Sequence, residues 1–407
     1  MTQYNNIPQG YKQTELGIIP QEWEVKRLGN IAKCFSGGTP KSESEEMYGG
    51  TIPFIRSGEI HSNKTALFLT DDGLRKSSAK MVDVGDLIFA LYGANSGDCA
   101  ISQINGAINQ AILCIRSSSV INPFLHPYLE LQKDRYIAKY LQGGQGNLSG
   151  EIVCSYTISV PPMEEQRKIA EILGVWDEAI EKQSRLIERL EVCKRALMQR
   201  LLSGRTRLPG FTTPWQKIKL GEIFRERNET RCEYLPLLSI TADKGVILQS
   251  ESDKKDTSNE DKSKYKRICP NDIGYNTMRM WQGRSALSSL EGIISPAYTI
   301  VTPKVDVEMM FVSELIKQPR VVYDFWTHSQ GLVGDTLNCK FHDFSQVKVA
   351  IPSLPEQMAI AEVLTTADNE IAIHRKKLDA LRLQKRGLMQ QLLTGITRVK
   401  IQETLKL

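Results

Sequence analysis

Between residues 276 and 284 this chain places Asn276, Thr277, Arg279, Trp281, Gln282 and Arg284 within nine positions. The arginine fork matches the O6/N7 edge of guanine, and an Asn or Gln amide matches the N6/N7 edge of adenine. A polar, aromatic and basic cluster between two apolar runs is unusual for a mere turn, although Met278, Met280 and Trp281 read equally well as packing. Ser329 and Gln330 form a weaker candidate pair further on. The first half carries a second set, beginning with Gly37, Gly38, Thr39, Pro40 and Lys41 and continuing with Arg56, Ser57 and Glu59. Glycines there admit the backbone close to a phosphate, and Lys41 and Arg56 supply charge. Tyr92, Asn95 and Ser96 lie on the next loop, and Asn109 and Gln110 offer amides to adenine edges. Gln145 and Asn147 sit in the loop GGQGNLSG. The competing reading of all these Gly-rich pieces is that they are turns. The mixed-sign run at 251–267 reads as a solvated loop.

Catalytic chemistry finds no comparable support. GEIHSNKT at 58–65 has Asn63 where a phosphate-cradling loop needs glycine, and GGQGNLSG follows a helical stretch instead of opening one. No Asn-Pro-Pro-aromatic run is present, and the five histidines are spread singly, which offers neither a triad nor a metal site. Eight cysteines are scattered without a Cys-x-x-Cys and read as reduced thiols. The polar N-terminal stretch lacks a signal-peptide pattern and no apolar run is long enough for a membrane, so a cytoplasmic location is expected. Residues 1–160 carry 14 basic and 15 acidic side chains, net −1, whereas residues 205–350 carry 21 and 18, net +3. Bulk charge therefore does not announce nucleic acid; local patches or a partner must supply phosphate contacts. Two folded domains without a catalytic cluster point to a reader or a scaffold rather than an enzyme.

The elements that must position these residues come in duplicate. Residues 161–207 align without a gap on residues 352–398, so Glu165-Gln166 falls on Glu356-Gln357 and Asp177 on Asp368. Ile169, Leu173, Trp176, Ile180, Gln183, Ile187, Leu190, Lys194, Leu197 and Leu201 follow in steps of four and three. Their counterparts are Ile360, Leu364, Ala367, Ile371, His374, Leu378, Leu381, Lys385, Leu388 and Leu392. A heptad stripe of this length predicts two coiled-coil rods, opened by proline and closed by Gly204 and Gly395. The rods should pair antiparallel, with the polar seam residues Gln183, His374, Lys194 and Lys385 setting register. The segments between them repeat more weakly: Trp23 falls on Trp215, Asp86 on Asp272 and Gly97 on Gly283. Each reads as short strands, a helical stretch (about 124–141 and 308–326), a Gly-containing loop and a last strand, while residues 1–16 read as a linker.

With Glu-Gln near each rod's start and Leu-Met-Gln-x-Leu-Leu-x-Gly at each end, the chain resembles the specificity subunit of type I restriction-modification systems over its whole length. Residues 35–60 and 275–301 are similar to two kinds of target-recognition domain in that family. The resemblance implies a mixed α/β fold, with two target-recognition domains separated by two long antiparallel coiled-coil helices in a pseudo-twofold repeat. The expected parts are a first recognition domain (1–160), a first spacer helix (161–204), a second domain (205–350), a second spacer helix (351–395) and a tail (396–407). It further implies a non-catalytic subunit whose domains each read half of a split double-stranded DNA target. The implied partners are two methyltransferase subunits with S-adenosylmethionine and restriction-motor subunits using ATP and Mg, with no cofactor in this chain and no membrane. A methylation-only complex, or a coiled-coil scaffold without a DNA role, are the alternatives.

Overall fold

The structure, a computed structural model, describes residues 7–400 apart from 42, 94, 141–146, 242–243, 253–255, 257 and 332–336. The chain forms two compact units, Met1–Ser184 with Lys376–Leu407, and Arg185–Arg375.

The first unit opens on a hairpin, β1 (Tyr11–Thr14) and β2 (Gly17–Pro20), where a linker was expected. The alternation of polar residues there hid a strand whose second member buries Ile19 and Pro20. Next come β3 (Glu24–Arg27), a helical turn α1 (Leu28–Ile31), β4 (Ala32–Ser36), β5 (Tyr48–Ile55), β6 (Leu67–Leu69) and α2 (Asp71–Arg75). Then follow β7 (Lys80–Val82), β8 (Leu87–Ala90), β9 (Cys99–Ile101), β10 (Gly106–Ile108) and β11 (Ile112–Ser117). The sheets run β4-β11-β8-β9 and β6-β5-β10-β7, and β5 pairs parallel to β10. All four residues of β8 are buried, as befits an apolar run with neighbours on both edges. Helix α3 (Asn122–Tyr140), the short α4 (Gly150–Cys154) and β12 (Thr157–Val160) complete the domain. Strand β12 pairs with β3, so the chain leaves the domain beside its entry and passes into helix α5 (Met163–Leu201).

The second unit repeats this scheme with β13 (Gln216–Lys219), α6 (Leu220–Ile223), β14 (Phe224–Arg227), β15 (Leu238–Thr241), β16 (Gly245–Leu248) and β17 (Lys266–Ile268). Strands β18 (Ile273–Asn276), β19 (Ser285–Leu287), β20 (Gly292–Ile294) and β21 (Tyr298–Pro303) follow. Their sheet order, β14-β21-β18-β19, matches that of the first unit. The helical stretch expected at 308–326 is two helices, α7 (Met309–Leu315) and α8 (Pro319–His328). Pro319 lacks the N–H that would continue α7, and it starts α8 as a first-turn residue. A short α9 (Phe341–Gln346) and β22 (Lys348–Ile351), paired with β13, lead into helix α10 (Leu354–Leu392).

Helices α5 and α10 have 39 residues each, a length of about 58 Å at ~1.5 Å per residue. They pack antiparallel in both units. In the first, Lys385 pairs with Asp177 at 2.6 Å and Arg398 with Glu165 at 2.7 Å. In the second, Lys194 pairs with Asp368 and Arg375 with Glu191, both at 2.6 Å. Ile169, Leu173, Leu378 and Leu392 are buried in the first unit, and Trp176, Ile180, Leu381 and Leu388 half-buried. Ile187, Leu201, Ile360, Leu364 and Ile371 are buried in the second, with Leu190 half-buried. Leu197 is 38% exposed, while Met198, Leu201 and Leu202 at the end of α5 pack into the core of the second unit.

Candidate nucleic-acid interface

In the first unit the candidate residues gather at one edge, because β4, β5, β8 and β10 all end there. Asn109 N–H donates to Ile55 O at 3.3 Å across the ends of β10 and β5, and Asn109 Oδ1 accepts from Ala111 N–H. Asn95 Nδ2 donates to Ser57 O at 3.2 Å, and Ser96 Oγ donates to Leu91 O, so both residues tie the loop after β8 to its neighbours. Tyr92 is half-buried, which raises its phenol pKa. Asn147 is exposed beside Leu148, whose N–H donates to Leu91 O; Gln145 lies outside the described residues. Thr39 Oγ1 is hydrogen-bonded to Gln110 Oε1 on the exposed rim, next to exposed Lys41.

Three further candidates, Gly37, Gly38 and Arg56, answer to the protein itself. A Cβ on Gly37 would overlap Ile108 O and one on Gly38 would overlap Ser78 Oγ, so the close approach they permit is to the end of β10 and to the segment before β7. Arg56 is clamped by Glu59, with Nε and Nη2 each 3.1 Å from a carboxylate oxygen. That hydrogen-bonded cation holds the Glu59 carboxyl at about 2.

In the second unit the turn after β18 is built by its own polar atoms. Asn276 Oδ1 accepts from Met278 N–H, Thr277 Oγ1 donates to Ala297 O, and Trp281 Nε1 donates to Met278 O. Met280 is fully buried and anchors the turn, while Arg279, Gln282 and Arg284 are exposed. Arg279, Gln282, Arg284 and Asn276 line an open groove of about 1020 Å³ together with Lys244 and Lys317. The last two were not apparent from sequence, since β15–β16 and the α7–α8 junction reach this groove only through the fold. Ser329 Oγ donates to Phe325 O at the end of α8, and Gln330 Nε2 donates to Asp343 Oδ1, so both hold structure together.

The scaffold beneath both edges rests on twinned polar contacts. Gln166 accepts from Ile121 N–H at 3.0 Å and donates to Pro161 O; Gln357 accepts from Glu308 N–H at 3.0 Å and donates to Pro352 O. Each glutamine thus ties a long helix to the lead-in of the helix that follows the main sheet. Buried Glu165 receives Arg398 Nε, Arg398 Nη2 and Trp23 Nε1, and buried Glu356 receives Arg207 Nε and Nη2 at 2.6 Å. Asp86 holds Arg116, and its counterpart Asp272 holds Arg227.

Among the described residues no group of three or more His, Cys, Asp or Glu side chains could hold a metal ion. No described helix is long and apolar enough to cross a membrane. Burial pushes the thiols of Cys34, Cys99, Cys114 and Cys339 up to about 12, which keeps them protonated and poor nucleophiles.

Residues 20–192 and 320–383 match the family described as type I restriction modification DNA specificity domain. A relative from Methanocaldococcus jannaschii, assigned as the specificity subunit of the MjaX type I restriction enzyme, is 26% identical over 96% of this chain and 97% of its own. Two solved chains share the fold. One is the specificity subunit of a type I restriction-modification system from M. genitalium, with TM-score 0.55 at 16% identity over 98% of this chain and 99% of that one. The other comes from work on complex assembly and conformational transition of the type I system, with TM-score 0.59 at 18% identity over 93% of this chain and 99% of that one. The chain belongs to the type I restriction-modification DNA specificity family, as a non-catalytic specificity subunit with two target-recognition domains.

Proposed function

We propose that each recognition domain reads one half of a split double-stranded DNA target on behalf of a methylation and restriction complex. The observation that carries this reading is one scaffold presenting two different edges. Strands β8 to β11 recur as β18 to β21 at a constant spacing of 186 residues, yet LYGANSG (91–97) stands where TMRMWQG (277–283) does near the same edge. Two equal frames with unlike side chains at their tips suit two unlike recognition words.

On this reading residues 1–160 and 205–350 are the readers, 161–204 and 351–395 the spacer helices, and 396–407 a tail. The base-contacting candidates are Thr39, Lys41, Asn109, Gln110 and Asn147 in the first reader, and Arg279, Gln282 and Arg284 in the second. Two methyltransferase subunits would bring S-adenosylmethionine, and restriction-motor subunits ATP and Mg, all in the cytoplasm. The test replaces residues 277–284 by a loop of different sequence and maps methylated bases in cells that express the whole complex. The expected result is a change confined to one half of the target; an unchanged target would remove this loop from recognition.

A further inference from the structure

The two edges differ in most of their side chains, yet one amide recurs at the same place in both. Asn147 and Asn338 stand 191 positions apart, the spacing at which α4 and β12 recur as α9 and β22. The backbone fixes that place in each reader. In the first, Leu91 just after β8 donates its N–H to Ala111 O and accepts from Leu148 N–H, each at 2.8 Å. In the second, Thr277 just after β18 donates to Ala297 O at 3.1 Å and accepts from Cys339 N–H at 2.8 Å. The residue before that last donor is an asparagine both times. Around it the side chains change: Pro296 and Lys340, which share a groove with Asn338, have Gln110 and Ser149 as counterparts in the first reader.

Asn338 is seated without help from its side chain. Its N–H donates to Gln330 O at 2.8 Å and its carbonyl accepts from Gln330 N–H at 3.0 Å. Its Oδ1 is buried and accepts no hydrogen bond among the described residues, an arrangement that costs stability. The residue lines an open groove of about 650 Å³ that also holds Thr277, separate from the groove of Arg279, Gln282 and Arg284. Asn147 is exposed.

We propose that Asn338 is a specificity-determining residue of the second reader and that it and Asn147 each read an adenine in their own half of the target. The inference rests on the DNA-reading function above and adds a base contact to the second reader. A carboxamide accepts from adenine N6 and donates to N7, and adenine is the base whose major-groove edge carries both a donor and an acceptor. Turning into the groove onto such an edge gives Asn338 Oδ1 the donor it lacks. Two unlike readers that keep one amide at one place read one base in common, while the changed residues beside it set the rest of each word.

The test maps methylated sites in cells expressing the whole complex, with the natural chain and with Asn338→Ala, Asn338→Asp and Asn147→Ala. The natural target should hold an adenine, on one strand or the other, in each half. Asn338→Ala keeps the backbone bonds that seat the residue, and should lower the preference for adenine at one position of the second half by about tenfold, with the first half unchanged. Asn147→Ala should do the same in the first half alone. Asn338→Asp, an acceptor without the donor, should move the preference at that position toward cytosine, whose N4 donates; an asparagine with a merely structural role gives no such exchange. A second half left intact by Asn338→Ala overturns the proposal, as does a loss of preference spread evenly over that half. If Asn338→Ala yields no methylation, binding of the purified complex to four duplexes differing at that position decides: loss confined to the adenine duplex supports the proposal, and equal loss on all four overturns it. A natural complex whose methylated sites share no two-part target would instead sink the DNA-reading function itself.

Discussion

Arg398→Met should unlatch the end of the chain from the first reader. The Glu165 carboxylate is 1% exposed and takes two bonds from Arg398, at 2.7 and 3.0 Å, and one from Trp23 at 2.9 Å. Gly395, at φ 76°, lies so close to Pro20 that an added Cβ would sit 2.4 Å from its Cδ, and Tyr11 Oη donates to Gly395 O. Removing the guanidinium leaves a buried anion with one donor. Breaking a fully buried pair costs about 3–5 kcal/mol; because Arg398 is 34% exposed, solvent screens part of this and about 2–3 kcal/mol is expected. At roughly 3 °C per kcal/mol for a unit of this size, the first unit's calorimetric transition should fall by about 6–9 °C. Adding Glu165→Gln should recover more than half of the loss, since the amide oxygen still accepts from Trp23. A fall of less than about 1 °C, or a double variant no better than Arg398→Met alone, would show that the clamp does not hold this end down.

A fragment ending at Gly204 keeps one reader and one rod; sedimentation should find it dimeric at micromolar concentration, with a second copy replacing residues 360–392. A monomer there would refute the pairing argument. The Arg56–Glu59 pair depresses a carboxyl from 4.5 to about 2, so its contribution is complete above about pH 4.5 and is lost as pH falls through 2. Glu59→Gln should therefore flatten stability against pH within that window in urea titrations, and an unaltered profile would count against the pair. The purified chain alone, net −1 across its first 160 residues, should bind DNA weakly at physiological salt and gain sequence preference with its methyltransferase partner. Tight, specific binding by the isolated chain would contradict this.

The rods were legible in the sequence because a heptad stripe is a local, periodic signal, and the two copies vouch for one another. The Glu-Gln signature was visible as a repeat, but its purpose was not. Only the fold shows Gln166 reaching the lead-in of α3 and Glu165 meeting Arg398, 233 positions away. The Thr-Arg at the end of each repeat was the available signal for those clamps. Gly37 and Gly38 read as phosphate-facing from composition, whereas their tight contacts are to Ile108 and Ser78, which no spacing rule announces. Arg56 looked like available charge, and its Glu59 partner stood three residues on among the same candidates. The break between α7 and α8 could have been drawn at Pro319 from its missing N–H. Lys244 enters the second groove through the β15–β16 hairpin, a tertiary placement that the charged composition around it concealed.

The most direct measurement of the central claim is single-molecule sequencing of methylated bases in DNA from cells expressing the complex, with the natural chain and with one in which residues 205–350 are replaced by another family member's second domain. The expected result is a two-part target whose first half and methylated position persist while the second half changes. Loss of both halves together, or methylation without a two-part target, would contradict it.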